Sequence, residues 1–454
     1  MPSRKLAREL INLIIDHLHS DEPTLQICAL VCRDWVAPSR FHLFCHISLF
    51  WGRVDQFLLL CDSPFSTIPR AKTHTFSFFT HISQVGAPKE PEDQELENSP
   101  LLNRLLTWRS LDGQKTLAVV FSQLRTLALY CVGWWTLSAS ARETLVQLES
   151  LRKLDIGVVF ETGDEFFTLL GMFPNLEVLS LHKCYSRRGE ATANHGDPIL
   201  DAAFPPRLHT ISITRLDDES ATIVDTLALR PCYSLRVFNF GVTRFSSVES
   251  ACGTATAIEK LVASAGPSLE VFSAEITPEE GLYTSDDADL YACFELINLT
   301  KNTSLQHISL RIKENRRVLP FLQRLTETTI SSKFFTPTLQ FLEIEDLPAL
   351  SINWETLDML LQHPYFSALS ELRYTVTAPL SNEDVIGHPL FSSVQPNWGS
   401  DSHKAMLKNI KDFGAQLPLC RARGILRPRE IYEWHGGLIL DTTGNAEDVT
   451  VWTA

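Results

Sequence analysis

One six-residue pattern, Leu-x-x-Leu-x-Leu with Ile or Phe allowed at the apolar positions, constrains this chain more than any other feature. It stands at Leu124/Leu127/Leu129, Leu151/Leu154/Ile156, Leu176/Leu179/Leu181 and Leu208/Ile211/Ile213, and continues at Leu235/Phe238/Phe240, Leu305/Ile308/Leu310 and Leu339/Leu342/Ile344. Leu269/Phe272/Ala274 and Leu369/Leu372/Tyr374 are weaker copies. First positions follow one another at intervals of 25 to 36 residues. Inside each copy the apolar residues alternate with others, the period of a strand buried on one face. Recurrence at this interval marks an array of repeats, each of which buries its apolar face only against its neighbours.

The segments between copies read as helices. Asp164–Leu170 precedes Pro174, and Ala257–Val262 runs into Gly266-Pro267, a helix stop. Asp289–Leu299 and Glu355–Leu361 repeat the theme, the latter ending at Pro364. Strand, loop, helix and stop together resemble a leucine-rich-repeat solenoid, and the copy Leu176/Leu179/Leu181/Cys184 keeps the Cys of that family's consensus. The resemblance implies an α/β fold, with parallel strands and helices on the convex side. Most copies lack the consensus Asn or Cys and their spacings drift, so the expected solenoid is irregular. It takes in residues 51–430, with a last strand over Leu417–Leu426, and is followed by a tail over 431–454 that reads as loosely ordered from Gly436 to Ala454. Residues 86–100 are acidic and proline-bearing and read as a solvated loop, and Arg187–Pro198 and Pro278–Asp289 read as polar loops on the rim.

Ahead of the array, Leu6, Leu10, Ile14 and Leu18 recur every four residues, with Ile11 and Ile15 widening the stripe. Pro23 stands where a second helix can begin, since its missing N–H would be unpaired there. Leu25, Cys28 and Cys32 form a second apolar stripe, and His46–Phe50 alternates like a short strand. Three short helices bury too little surface to be stable alone, so such a unit leaves an apolar face for a partner. The opening Leu6…Glu9-Leu10-Ile11…Ile14…Leu18, the run Leu30-Val31-Cys32-Arg33-Asp34-Trp35, and Arg40-Phe41 with Leu43-Phe44 resemble an F-box, most of all those abundant in mushroom-forming fungi. Ala7 stands where that family usually carries Pro. The resemblance covers residues 1–50 and implies docking of a Skp-family adaptor, which links the chain to a cullin and a RING protein. The residues it implicates are Leu6, Leu10, Ile11, Ile14, Leu25, Val31, Cys32 and Trp35.

Composition excludes several classes. A formal net charge of −14 opposes a nucleic-acid or anionic-membrane surface, both of which need a basic patch. Arg4, Lys5, Arg8 and Glu9 interrupt any N-terminal signal-type apolar run, and no stretch approaches the roughly 18 apolar residues that span a bilayer. The ten cysteines have no repeated spacing and read as reduced, mostly core residues of a cytoplasmic or nuclear protein. The glycosylation-type triplets at Asn298 and Asn302 therefore carry no meaning.

No catalytic or cofactor motif is present: no phosphate-binding G-x-x-x-x-G-K-S/T, no G-x-G-x-x-G after a strand, no H-E-x-x-H and no G-x-S-x-G. Cys28, Cys32, His42 and His46 imitate a zinc set, but the interval between the pairs is nine residues and both cysteines fall on an apolar helix. The chain thus reads as non-catalytic, with neither metal nor cofactor.

In each repeat the third and fifth positions point onto the open face of the sheet. The third-position row includes Val178, Val237, Val271, His307 and Phe341, and the fifth-position row includes Ser180, Ser212, Asn239, Ser273 and Ser309. Small polar residues flanked by apolar ones leave room for an extended ligand. These residues are the expected target-contacting set of a substrate receptor in an SCF-type ubiquitin ligase. The alternative expectation is a protein-interaction scaffold in which the N-terminal helices only cap the array.

Overall fold

The computed structural model describes residues 8–19, 21–63, 66, 68, 73–79, 100–187, 204–276, 294–295, 297–312, 317–327, 336–346, 353–380, 385–386, 395–396, 414–434, 438–442 and 449–453. The chain divides into two compact units, Met1–Ser212 and Ile213–Ala454, the division falling within one strand, Thr210–Leu216. Each unit is α/β with a mostly parallel sheet.

The first unit opens with three helices, α1 (Arg8–His17), α2 (Glu22–Val31) and α3 (Arg33–Leu43). Asp21 caps α2: its carboxylate accepts the Thr24 N–H at 3.1 Å and the Thr24 hydroxyl at 2.7 Å, which holds it below the usual carboxyl range. Pro23 sits in the first turn, as its missing donor requires. Ile11 and Ile15 of α1 meet Leu25 and Cys28 of α2 in a small core, with Leu18, Trp35 and Leu43 packed against it. The His42 ring and the Asp16 carboxylate, 2.8 Å apart, tie α3 to α1.

The helices end at Leu43, and His46–Phe50 becomes β1, the first strand of the sheet. Five strands, β1, β2 (Thr75–Phe79), β3 (Thr126–Gly133), β4 (Lys153–Phe160) and β5 (Val178–His182), run parallel in sequence order. A two-residue strand, β6 (Tyr185–Ser186), adds to β4. Sequence patterning leaves β2 unseen, because Thr73 holds the place that Leu holds elsewhere, with Phe76 and Phe78 after it. Thr73 is buried and donates its hydroxyl to the Phe44 carbonyl at 2.9 Å. Next comes β7 (Thr210–Leu216), in which the two units meet in sequence.

In the second unit β8 (Val237–Val242), β9 (Val271–Ile276), β10 (His307–Ile312), β11 (Phe341–Asp346) and β12 (Glu371–Leu380) are again parallel and in order. Helices Asp218–Ala228, Val248–Ala265, Val318–Glu327 and Trp354–Leu360 alternate with these strands. Two short strands, β13 (Val385–Ile386) and β14 (Gln395–Pro396), pair only with each other. At the end, β15 (Leu426–Trp434) joins β12 in parallel, and β16 (Leu438–Thr442) and β17 (Val449–Thr453) extend the sheet antiparallel.

Every first, fourth and sixth position of the nine copies is buried, including Ala274 and Tyr374 of the weaker ones. The fourth and sixth positions line the inner face of the sheet, and the first anchors the turn before each strand. The second position sets register. Its carbonyl accepts two successive N–H groups of the next repeat, as Arg152 does from Glu177 and Val178, and Gln306 from Gln340 and Phe341. Identical turns thus stack in identical register, and this satisfies backbone groups that would otherwise be orphaned.

Helices Gly163–Gly171, Val248–Ala265 and Trp354–Leu360 fall where the sequence places them. The longest of them stops at Gly266, whose φ of +54° suits a residue without Cβ. Three expectations change. Within Asp289–Leu299, residues 294–295 form a 3-10 turn and 297–299 are irregular, so no α-helix occupies the described part. Leu417–Leu426 is not a strand: Pro418 starts a helix, Pro418–Ala422, Gly424 at φ +71° ends its turn, and only then does β15 begin. The tail holds the two strands β16 and β17 rather than loose chain, in keeping with its runs Leu438-Ile-Leu and Val449-Thr-Val-Trp. Residues 86–99, 188–198 and 278–289, read as loops, lie outside the described residues.

Candidate functional site

Two surfaces carry the residues singled out by sequence. The first is the outside of the N-terminal helices. A helix with apolar residues on several faces buries one stripe and exposes the others. In α1, Ile11 and Ile15 turn inward, and Leu10, Leu13 and Ile14 stay exposed. In α2, Leu25 and Cys28 turn inward, and Ile27, Leu30 and Val31 stay exposed, Leu30 at 86%. Six large aliphatic side chains in solvent over two short helices exceed the scattered apolar residues of an ordinary surface.

Of the residues implicated for adaptor docking, Leu10, Ile14, Val31 and Cys32 are exposed and Trp35 is half-buried against the small core. Ile11 and Leu25, at 5% and 1% exposure, belong to that core and offer no surface in this conformation. Leu6 lies outside the described residues. Leu13 and Ile27 were not singled out by sequence, and Leu30 entered only through the run over residues 30–35, not in the set implicated for docking. The stripe at every fourth residue directs attention to Leu6, Leu10 and Ile14, and periodicity alone does not say which neighbouring stripe closes inward. Cys32, read as a buried helical cysteine, instead occupies the extended junction between α2 and α3.

The second surface is the open face of the sheet. Within the second unit the strands β8, β9 and β10 alternate half-buried and buried residues, so third and fifth positions do face outward. Strand register aligns them in rows. Val237, Val271, His307, Phe341 and Glu371 form one row, and Asn239, Ser273, Ser309, Glu343 and Arg373 the next. Gly241, Glu275, Arg311 and Glu345 form a third row that the sequence reading did not reach. Here Arg311 lies 3.1 Å from Glu275 and 2.9 Å from Glu345.

A cavity of about 180 Å³ opens on this face, lined by His307, Phe341, Leu342, Glu343, Glu371 and Arg373. The rings of His307 and Phe341 stand 5.9 Å apart and form its apolar side. Arg373 directs Nε and Nη2 at the same Glu371 oxygen, at 2.9 and 2.6 Å, and stands 3.8 Å from Glu343. Ser309 donates to Glu343 at 3.4 Å. Desolvation lowers the pKa of the His307 ring, with Arg373 adding to it and Glu343 and Glu371 opposing.

In the first unit the corresponding residues are Val178, half-buried, Ser180, buried at 9%, and Ser212, half-buried. Beyond them an aromatic row crosses the strands. Phe50 lies 6.0 Å from Phe79, Phe79 stacks on Tyr130 at 5.3 Å, and Tyr130 lies 5.6 Å from His182. Gly157, in the strand between those of Tyr130 and His182, leaves room for the Tyr130 ring and the His182 carbonyl oxygen to close in beside its bare Cα. His182 and Asp155 are 2.8 Å apart, and Tyr130 shares a hydrogen bond with the same carboxylate.

Among the described residues no group of three or more His, Cys, Asp or Glu side chains is arranged to hold a metal ion, and no helix is long and apolar enough to cross a membrane. Cys28, Cys61, Cys184, Cys232 and Cys420 are buried, and these five, like Cys32, Cys45 and Cys252, carry free thiols. Asn302 of the second glycosylation-type triplet is buried too, its amide donating to the Val262 and Gly266 carbonyls at 2.8 and 2.9 Å.

No protein-family model matches this chain, and no curated protein sequence matches it significantly.

Proposed function

We propose that this chain is the substrate receptor of an SCF-type ubiquitin ligase. On this reading residues 1–50 are an F-box that docks a Skp-family adaptor, and the sheet domain is an irregular leucine-rich-repeat solenoid that holds the target protein. The observation that carries the reading is the outward apolar set of α1 and α2, namely Leu10, Leu13, Ile14, Ile27, Leu30 and Val31. Burying a Leu, Ile or Val side chain stabilises by about 1.5–3 kcal/mol relative to leaving it exposed, so a covering partner gains from each of the six. The docking surface is therefore drawn from these six with Cys32 and Trp35, while Ile11 and Leu25 support it from behind.

The chain itself performs no chemistry here. It works in the cytoplasm or nucleus by raising the target's effective concentration at another protein's active site. The competing reading, an interaction scaffold, draws on the packing of α3 against β1 and on the Thr73 bond to Phe44, which make the helices a natural cap for the sheet.

Co-expression with a Skp-family adaptor separates the two. The ligase reading expects one co-eluting peak on size exclusion, lost in Leu10→Asp and in Leu30→Asp. Because both side chains are exposed, these variants should keep the wild-type unfolding midpoint. A folded wild-type chain that elutes alone would sink the reading and leave the scaffold.

A further inference from the structure

The cavity on β10–β12 has a size and a charge that select an occupant. We infer that it receives a basic side chain, Arg or Lys, carried on an extended segment of the target protein. This rests on the reading of the open face as the target surface.

Its volume of about 180 Å³ falls below the roughly 300–1,000 Å³ of small-molecule pockets and suits a single side chain. One wall is the ring of Phe341, 38% exposed. An aromatic face attracts a cation placed over it. Glu343 and Glu371 line the same cavity.

The charge balance favours a cation over an anion. The cavity's own lining carries two carboxylates, Glu343 and Glu371, against one guanidinium, Arg373. Arg373 lies between these two carboxylates, so an arriving anion finds it already engaged. Glu343 stands 3.4 Å from the Ser309 hydroxyl and 3.8 Å from Arg373. A carboxylate has about four acceptor positions, enough to take an incoming guanidinium or ammonium beside these neighbours. Val271 and Val237, in register with His307 and Phe341, continue the row as an apolar strip for the residues flanking the cation. The net charge of −14 draws a basic segment toward the chain from a distance.

The test is a random dodecapeptide array probed with the full chain, followed by fluorescence anisotropy on the best binders. Bound peptides should be enriched in Arg and Lys flanked by aliphatic residues, and replacing the central cation by Gln should weaken binding at least tenfold. Glu343→Gln, which preserves shape, and Phe341→Ala, at an exposed position, should each cause a comparable loss with an unchanged unfolding midpoint. Enrichment in acidic or uncharged peptides, the absence of any binder, or binding indifferent to both variants would overturn the assignment. If the adaptor still co-elutes in that case, only this pocket is lost; a chain that binds basic peptides but no adaptor would reject the ligase reading instead.

Discussion

Asp358 and Cys420 are 62 residues apart in sequence, yet Oδ1 of the first accepts the backbone N–H of the second at 2.9 Å. Oδ2 of the same carboxylate accepts the N–H of Leu419 at 2.8 Å. Asp358, on helix Trp354–Leu360, thereby caps the first turn of helix Pro418–Ala422 from a distance, with Asp358 and Cys420 buried and Leu419 exposed. Arg423 completes the clasp by donating to the carbonyls of Leu361, Phe366 and Leu369. Removing the carboxylate leaves the buried Cys420 N–H without its acceptor, at about 1–3 kcal/mol, while the Leu419 N–H is nearer solvent. Asp358→Ala should therefore destabilise the chain by about 1–3 kcal/mol, measured by urea unfolding; a change under about 0.5 kcal/mol would show the cap to be dispensable.

The thiols divide by reactivity along the same lines as burial. Desolvation pushes Cys61, Cys184 and Cys420 up to about 12 and Cys232 to about 11, where almost no thiolate exists at neutral pH. Cys32 is exposed. Brief maleimide treatment of the native chain should label Cys32 and spare those four, as read by peptide mass spectrometry. In Asp358→Ala, Cys420 should join the labelled set. Equal labelling of Cys32 and Cys184 in the native wild type would contradict the packing of the first unit.

Two glycines should respond to alanine with opposite sign. A Cβ on Gly157 would stand 2.8 Å from the His182 carbonyl oxygen and 3.1 Å from Cδ1 of Tyr130, and the carbonyl belongs to backbone that cannot swing aside. Gly157→Ala should cost about 1–3 kcal/mol, typical of overpacking. Gly171, at the end of helix Gly163–Gly171, has nothing within 4 Å of its would-be Cβ and no positive φ. There Ala should stabilise by about 0.4–1 kcal/mol by restricting the unfolded chain. Thermal midpoints moving in the same direction for both would remove the close approach over Gly157 as a structural constraint.

The fold was largely legible because burial in these repeats leaves a spare signal. Three positions in six must be apolar, and Leu124 through Tyr374 meet that need at each strand. What escaped was governed by context. Thr73 takes a leucine position because its hydroxyl finds the Phe44 carbonyl, a partner 29 residues away that no local pattern reveals. Leu417–Leu426 has the apolar content of a strand, but Pro418 and the distant Asp358 together favour a helix. The candidate docking surface was half legible for a related reason. Periodicity found the apolar helices, yet Ile11 and Leu25 face inward and Leu13, Ile27 and Leu30 outward because α3 supplies the third wall. The pocket at His307 and Phe341 depended on strand register, which brings Glu343 and Arg373 of different repeats together.

His307 gives a pH dependence with a definite sign. Its pKa is lowered from the ordinary 6.5, first by burial, so the folded chain binds this proton less readily than the unfolded chain does. Between the lowered folded value and 6.5 the unfolded state holds more protons, and stability falls as the pH falls. The contribution of the neutral ring is thus complete above 6.5 and lost as acidification passes the folded value. Glu343 and Glu371 moderate the effect by favouring the charged ring, while Arg373 reinforces it. His307→Gln removes the titration and leaves the other acid-sensitive groups in place. From about pH 7 to about pH 5, the wild-type urea midpoint should drop further than that of His307→Gln. Parallel profiles for the two chains would mean that the ring is solvated in the folded state, and the apolar wall of the pocket would then be absent in solution.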